Sequence, residues 1–329
     1  MTPSFFLFMS TTIMGTLIAL SSTNWLYLWM GMELNLLSFI PLVASSHTLQ
    51  ETEASVKYFI IQAVGSGLML TAGVMSTNPL SNFSFSPVIM TMFVISMTMK
   101  LGMAPCHQWL PHVMSSISWF MCMILATWQK ISPMMLMIML TPRETPLIIF
   151  IVVMLSAIVG GVGGMNQSQL RALLAYSSIG HMSWILITTQ CSFNMFILYF
   201  SVYVLITVSL ISLLMKSNSM LSKLSFSVSR MSMTMFALVM IVMFSLGGLP
   251  PFLGFFPKWL IINTLANNDL FIVVMVLITG SLMNLFYYFN MTFNFILAAP
   301  QTRKSFSTPM WCVITAMSCS ITSLMLMIA

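Results

Sequence analysis

Apolar runs of about twenty residues succeed one another along almost the whole chain, and that feature leaves few folds open. A stretch such as MTPSFFLFMSTTIMGTLIAL has no polar face to offer water. Only 5% of the 329 residues are charged, against roughly 25% in a soluble domain. In hydrocarbon every backbone N–H and C=O must be satisfied inside the protein, so only helices and closed barrels cross it. The runs here are continuous rather than alternating every second residue, which excludes a barrel. The chain is therefore read as an all-α polytopic membrane protein, a single transmembrane domain over residues 1–329 with no room for a sizeable soluble domain. No basic residue precedes Lys57, which fits neither a secretory signal nor an Arg-rich transit peptide, so the first run is read as a membrane helix.

Crossing the hydrocarbon core takes about 20 apolar residues. On that measure about eleven spans fall near 3–20, 24–43, 54–75, 87–104, 117–140, 146–164, 169–190, 193–215, 232–264, 270–297 and 308–328. They divide into approximate inverted repeats, 1–140 and 146–297, followed by the C-terminal helix. Every second connection collects the basic residues: Lys57, then Arg171, then Lys216, Lys223 and Arg230, then Arg303 and Lys304. The opposite set holds Arg143, followed at once by Glu144, and Asp269. The positive-inside rule then puts the N-terminus with the basic connections and the C-terminus across the membrane. The net charge of +6 is spread along one face rather than gathered in a folded patch, so nucleic acid is not an expected partner. Cys106, Cys122, Cys191, Cys312 and Cys319 stand singly, which argues against a zinc or iron–sulfur site, and no metal is expected. The 37 methionines replace Ile and Leu in lipid at little cost.

Four charges lie inside apolar runs: Glu33 in NWLYLWMGMELNLLSFIPLV, Lys100 at the end of VIMTMFVISMTMK, Lys130 in MILATWQKISPMMLM and Lys258 in FLGFFPKWLI. Each costs about 2.5–3.5 kcal/mol at a helix centre on insertion scales. Lys57 and Lys216 sit at span ends, where a long stem lets the ammonium reach the interface. Lys130 has apolar sequence on both sides, and the short stem of Glu33 calls for a polar partner or internal water. Burial disfavours a charged amine and a nearby carboxylate favours it, so buried lysines beside a movable partner can switch protonation. That is the chemistry of a proton relay.

Two runs are broken, KLGMAPCHQWLP and SLGGLPPFLGFFPK, and both contain L-G-x-x-P, at Leu101–Pro105 and Leu246–Pro250. Gly102 and Pro105 mark the first helix break; Gly247, Gly248, Pro250 and Pro251 mark the second. Proline removes an intrahelical hydrogen bond and glycine lets the chain leave helical geometry. Inverted-repeat transporters place such breaks at corresponding points around a midplane ion path, and here a lysine adjoins each. His181, in AYSSIGHMSWIL, either relays protons or hydrogen-bonds a neighbouring serine. His107 and His112, spaced i,i+5, do not make a two-His metal face and are read as loop or cap residues near a proton access path. GGVGG at Gly160–Gly164 offers a small-residue face for close helix packing.

Taken together, WMGMELNLLSFIPL, TEASVKYFIIQA, KLGMAPCHQWLP, TWQKISP, LRALLAYSSIGHMSW and FSLGGLPPFLGFFPKWL resemble the subunit 2 family of mitochondrial NADH:ubiquinone oxidoreductase, respiratory complex I, in an animal, arthropod-like form. The resemblance runs through most of the chain and is least specific in the loops and last span. It implies an antiporter-like membrane-arm subunit in the mitochondrial inner membrane, with the N-terminus in the matrix and the C-terminus in the intermembrane space. It also implies a proton relay of Glu33 paired with Lys100, then Lys130, His181 and Lys258. A contact pair at about 4 Å in an effective dielectric of about 20 is worth about 4 kcal/mol. No cofactor is expected on this chain; NADH, FMN, Fe–S clusters and ubiquinone belong to the complex. Expected partners are the neighbouring core membrane subunits, accessory subunits and phospholipids such as cardiolipin. Two other readings are a stand-alone cation/proton antiporter, which would want more midplane acids than Glu33, and a structural spacer indifferent to loss of its lysines.

Overall fold

The computed structural model describes residues 3–46, 48–77, 87–140, 146–216 and 233–297, and all regular structure among them is helical. The C-terminal span expected at 308–328 and the basic residues Lys223, Arg230, Arg303 and Lys304 lie outside the described residues. In chain order the helices are α1 (Pro3–Ser21), α2 (Trp25–Val43), α3 (Leu49–Thr77), α4 (Pro87–Leu101), α5 (Trp109–Ser116), α6 (Trp119–Ala126), α7 (Ile131–Leu140), α8 (Pro146–Met165), α9 (Leu170–Ile187), α10 (Phe193–Lys216), α11 (Met233–Gly247), α12 (Phe255–Asn267) and α13 (Phe271–Leu297). Seven of the described helical stretches are long and apolar enough to cross a membrane, and two shorter ones, Val88–Leu101 and Met235–Gly247, are apolar as well. The chain forms two compact units, Met1–Val152 and Val153–Ala329.

In the first unit α1 and α2 form a hairpin whose backbones nearly touch. A Cβ added to Gly31 would lie 2.5 Å from the Ala19 nitrogen, and one on Gly15 would lie 2.8 Å from the Asn35 nitrogen. With no water to expel between helices in lipid, close van der Waals approach of small residues is what joins them. In α3 the exposed Lys57 pairs with Glu53 one turn earlier; the helix begins at Leu49, two turns before it.

The second unit uses the same device around α8. A Cβ on Gly160 would lie 2.7 Å from the Gly180 nitrogen of α9, and one on Gly280 of α13 would lie 2.7 Å from the Ala157 carbonyl oxygen. The small-residue stretch expected from GGVGG therefore packs close against both neighbours.

One expectation is corrected. The run 117–140 is not a continuous helix: α6 ends at Ala126, a single 3-10 turn covers Trp128–Lys130, and α7 begins at Ile131. Pro133 gives the reason. It has no N–H to offer, and its ring would clash with the carbonyl of residue 129 in a continuous helix. Lys130 consequently sits at a helix interruption, not in mid-helix.

Candidate functional site

Both expected breaks close with the same hydrogen-bond pattern. At the end of α4, Met103 N–H donates to Thr98 O at 3.0 Å and Gly102 N–H to Met99 O at 3.2 Å, with Gly102 at φ 71°. At the end of α11, Leu249 N–H donates to Phe244 O at 3.4 Å and Gly248 N–H to Ser245 O at 3.2 Å, with Gly248 at φ 81°. This is the Schellman closure, whose left-handed residue is usually glycine. It shifts the register expected from L-G-x-x-P by one. Gly102 corresponds to Gly248, not to Gly247, and Pro105 corresponds to Pro251. Gly247 is an ordinary last helical residue, where a Cβ would meet nothing nearer than 3.6 Å.

A paired prediction follows from this assignment. Gly247→Ala is expected to be near neutral. Gly248→Ala is expected to cost about 1–2 kcal/mol for the left-handed backbone alone, and its Cβ would crowd the Lys258 Nζ at 2.8 Å. Thermal unfolding of the two variants side by side checks this, and equal losses would refute the register.

In the first unit the charged residues meet neutral polar ones. Lys100, in the last turn of α4, is 8% exposed, and Lys130 is 3% exposed. The Lys100 stem crosses α3 at Gly65, where a Cβ would lie 3.2 Å from its Cγ. Its ammonium donates to Met32 Sδ at 3.3 Å. Its carbonyl accepts from Gln62 Nε2 at 3.0 Å, and the Met99 carbonyl accepts from Trp109 Nε1 at 3.1 Å. Gln129, beside Lys130, donates to Asn35 Oδ1 at 3.0 Å and faces the Tyr58 hydroxyl at 3.4 Å. Lys100 and Lys130 both line one cavity, together with Asn35, Gln62 and Gln129, that leaves about 20 Å³ open. One water needs roughly 10–15 Å³ on this measure, and the walls supply the polar partners it requires.

The direct Glu33–Lys100 ion pair expected from the sequence is not formed. Successive side chains on a helix point about 100° apart, so when the buried Met32 of α2 faces Lys100, Glu33 is turned aside and is only half-buried. Its Oε2 is nonetheless shielded from solvent and has no hydrogen-bond partner among the described residues. The carboxylate still acts on Lys100 electrostatically. It is held close without contact.

In the second unit His181 of α9 is buried, and its Nδ1 lies 3.1 Å from the Tyr199 hydroxyl of α10. The Tyr203 ring lies beside it, with centroids 5.4 Å apart. Tyr199 is thus a partner of His181, where the sequence offers a proton relay or a bond to a neighbouring serine. Lys258, in the first turn of α12, is 6% exposed. That position faces the positive end of its own helix, but its ammonium reaches back and donates to Gly247 O at 2.9 Å, the open carbonyl end of α11. The Trp184 ring lies 6.0 Å away, within cation–π range.

The two access histidines join neither cluster. His107 is half-buried with Nδ1 3.2 Å from Pro105 O, and His112 is exposed. Among the described residues no three His, Cys, Asp or Glu side chains converge as a metal site. Reasoning from charge alone missed Asn35, Gln62, Gln129 and the tyrosines. The signal available for two of them was nearness in the chain to a charged residue, though not on the same helix face: Asn35 lies two positions from Glu33, and Gln129 precedes Lys130.

The profile of the family described as NADH:quinone oxidoreductase/Mrp antiporter, TM, matches residues 22–284. NADH-ubiquinone oxidoreductase chain 2 of Lumbricus terrestris is 42% identical over 312 residues, 94% of this chain and 92% of that protein. The protein of the same name from Locusta migratoria is 39% identical over 292 residues, 88% of this chain and 85% of that one. Among solved structures, a chain of respiratory complex I from Thermus thermophilus superposes with a TM-score of 0.81 at 22% identity, over 98% of this chain and 77% of that one. A chain of the Mrp complex from Dietzia has the same fold, at a TM-score of 0.78 and 15% identity over 90% of this chain and 61% of that one. With a family profile over most of its length and relatives at 39–42% identity, the chain belongs to the NADH-ubiquinone oxidoreductase chain 2 family of antiporter-like membrane proteins.

Proposed function

We propose that this chain is the proton-translocating membrane-arm subunit of NADH:ubiquinone oxidoreductase in the mitochondrial inner membrane. The observation that carries the reading is the water-sized polar cavity shared by Lys100 and Lys130. Two buried amines facing one water can exchange a proton through it, because water both accepts and donates. Glu33 is the modulator: close to Lys100 yet not bonded to it, its carboxylate strengthens or weakens the hold on the Lys100 proton as it moves. Displacement of Glu33 by a neighbouring subunit releases that proton toward Lys130. The second unit holds its own stretch of the relay, from His181 to Lys258, whose ammonium rests on a helix-end carbonyl until the proton leaves on the far side. NADH oxidation and quinone reduction, with their FMN and iron–sulfur clusters, take place in other subunits. Neighbouring core membrane subunits, accessory subunits and anionic phospholipid such as cardiolipin surround the chain. The basic connections and the N-terminus face the matrix, and the C-terminus faces the intermembrane space.

Lys100→Met tests the reading in the assembled complex reconstituted into liposomes. Electron transfer from NADH to quinone should continue to be measurable while protons moved per electron fall. A normal proton yield would overturn the role of Lys100. Cation exchange by the isolated chain in liposomes would instead favour a stand-alone antiporter.

A further inference from the structure

The second unit buries a group of hydroxyls that the relay above does not use. Tyr287 and Tyr288 of α13 are 3% and 0% exposed, and Asn284, one turn earlier, is 4% exposed. Residues spaced i, i+3 and i+4 share one helix face, so the three side chains project together. The Tyr287 hydroxyl, the Tyr288 hydroxyl and Asn284 Oδ1 make no hydrogen bond of full geometry among the described residues, although the two hydroxyls lie within interaction range of each other and of Ser177. Buried polar atoms of native proteins almost always find protein or ordered water, and a polar pocket of this kind is where buried water is held.

The position of the group gives it a direction. It packs against α9, where the Asn284 amide covers Gly180: a Cβ there would lie 2.6 Å from Nδ2. Ser177 lies beside Tyr287 and Tyr288, and Ser178 lies beside Tyr203. Ser177 and Ser178 precede His181 by one helical turn and share its face. That turn lies on the N-terminal side, toward the connection between α8 and α9. Tyr287 reaches farthest that way. Its ring sits in a notch at Gly164, in the last turn of α8, where a Cβ would lie 2.5 Å from its Cε1. The two tyrosine rings are in edge contact, with centroids 4.8 Å apart. Each hydroxyl can both donate and accept, so a water among them completes a ladder that passes a proton without a charged side chain.

We infer that Tyr287, Tyr288, Ser177 and Asn284 hold buried water that connects His181 to the membrane face at the α8–α9 connection. The inference rests on the reading of His181 as a proton carrier, and assigns that carrier its supply. Protons enter the second unit from the face that bears Arg171, along α13, and reach His181 through the serine pair.

The test uses the assembled complex in liposomes. In a high-resolution map, water should appear within hydrogen-bond reach of both tyrosine hydroxyls. The double variant Tyr287→Phe, Tyr288→Phe keeps both rings and should assemble, while proton delivery at constant electron flux slows roughly tenfold or more. Hydroxyls bonded directly to protein atoms with no water between them would overturn the inference, as would a normal proton yield in the double variant. Should the double variant fail to assemble, the map of the unsubstituted complex decides. His181→Gln separates the two levels. A normal proton yield in that variant overturns His181 as the carrier, whereas loss of yield there with a normal tyrosine variant overturns the ladder alone.

Discussion

Lys130→Met should leave the complex assembled and stop the proton transfer from Lys100 through the first unit. Methionine matches the length of the lysine stem and removes a buried charge, which costs about 2.5–3.5 kcal/mol at a helix centre on insertion scales. Stability is therefore expected to hold or rise. Lys130 lies at the Thr127–Ile131 interruption, nearly inaccessible to solvent, on the wall of the cavity it shares with Lys100. Without the amine, a proton leaving Lys100 has no neighbouring base to receive it. Loss of a positioned acid–base group typically slows the proton transfer it mediates by about 10²–10⁴-fold. Proton yield per NADH in liposomes, with electron transfer followed in parallel, reads the effect. A normal yield with normal turnover would remove Lys130 from the path.

Gly254→Ala should have the largest structural effect of any single methyl addition at the breaks. A Cβ there would fall 1.8 Å from the Ser245 carbonyl oxygen and 2.9 Å from its carbon. Both are backbone atoms, so no side-chain rotation relieves the clash. The same carbonyl accepts the Gly248 N–H at 3.2 Å, and the displacement therefore pulls on the closure that supports Lys258. Overpacking of this kind costs typically about 1–3 kcal/mol and here should reach or exceed the upper figure, with the amount of assembled complex falling sharply. Gly67→Ala serves as the comparison, since nothing lies within 4 Å of its added Cβ and helix propensity alone favours alanine by up to about 1 kcal/mol. Equal assembly of the two variants would show that α11 and α12 are not held this closely.

The long spans and the placement of the lysines were legible because hydrocarbon imposes a length and penalises charge. Those two rules do not depend on tertiary detail. The breaks at Gly102 and Gly248 were also readable as regions, but the one-residue register was not. Gly247 and Gly248 are equally permissive, and the choice falls on the residue whose missing Cβ leaves space for the Lys258 ammonium. The interruption before α7 carries no glycine, and Pro133 alone was too common a feature to single out. The Glu33–Lys100 arrangement depended on the rotation of α2, which is set by the close approach of its Gly31 and Asn35 to Gly15 and Ala19 of α1 and not by any local signal. The neutral polar groups escaped for a different reason. Asn, Gln and Tyr are tolerated on many membrane helices, and only their convergence in space distinguishes Gln62, Gln129 and Tyr288 from residues that face lipid or headgroups.

Lys258 leans on a main-chain oxygen, and that choice of partner has an evolutionary corollary. A peptide carbonyl is present whatever codon occupies position 247, and it neither ionises nor oxidises. The counter-dipole that steadies this amine is thus written into chain geometry instead of into a replaceable side chain. Drift in the surrounding sequence can then proceed without retuning the amine, provided position 248 keeps the one residue that tolerates its turn.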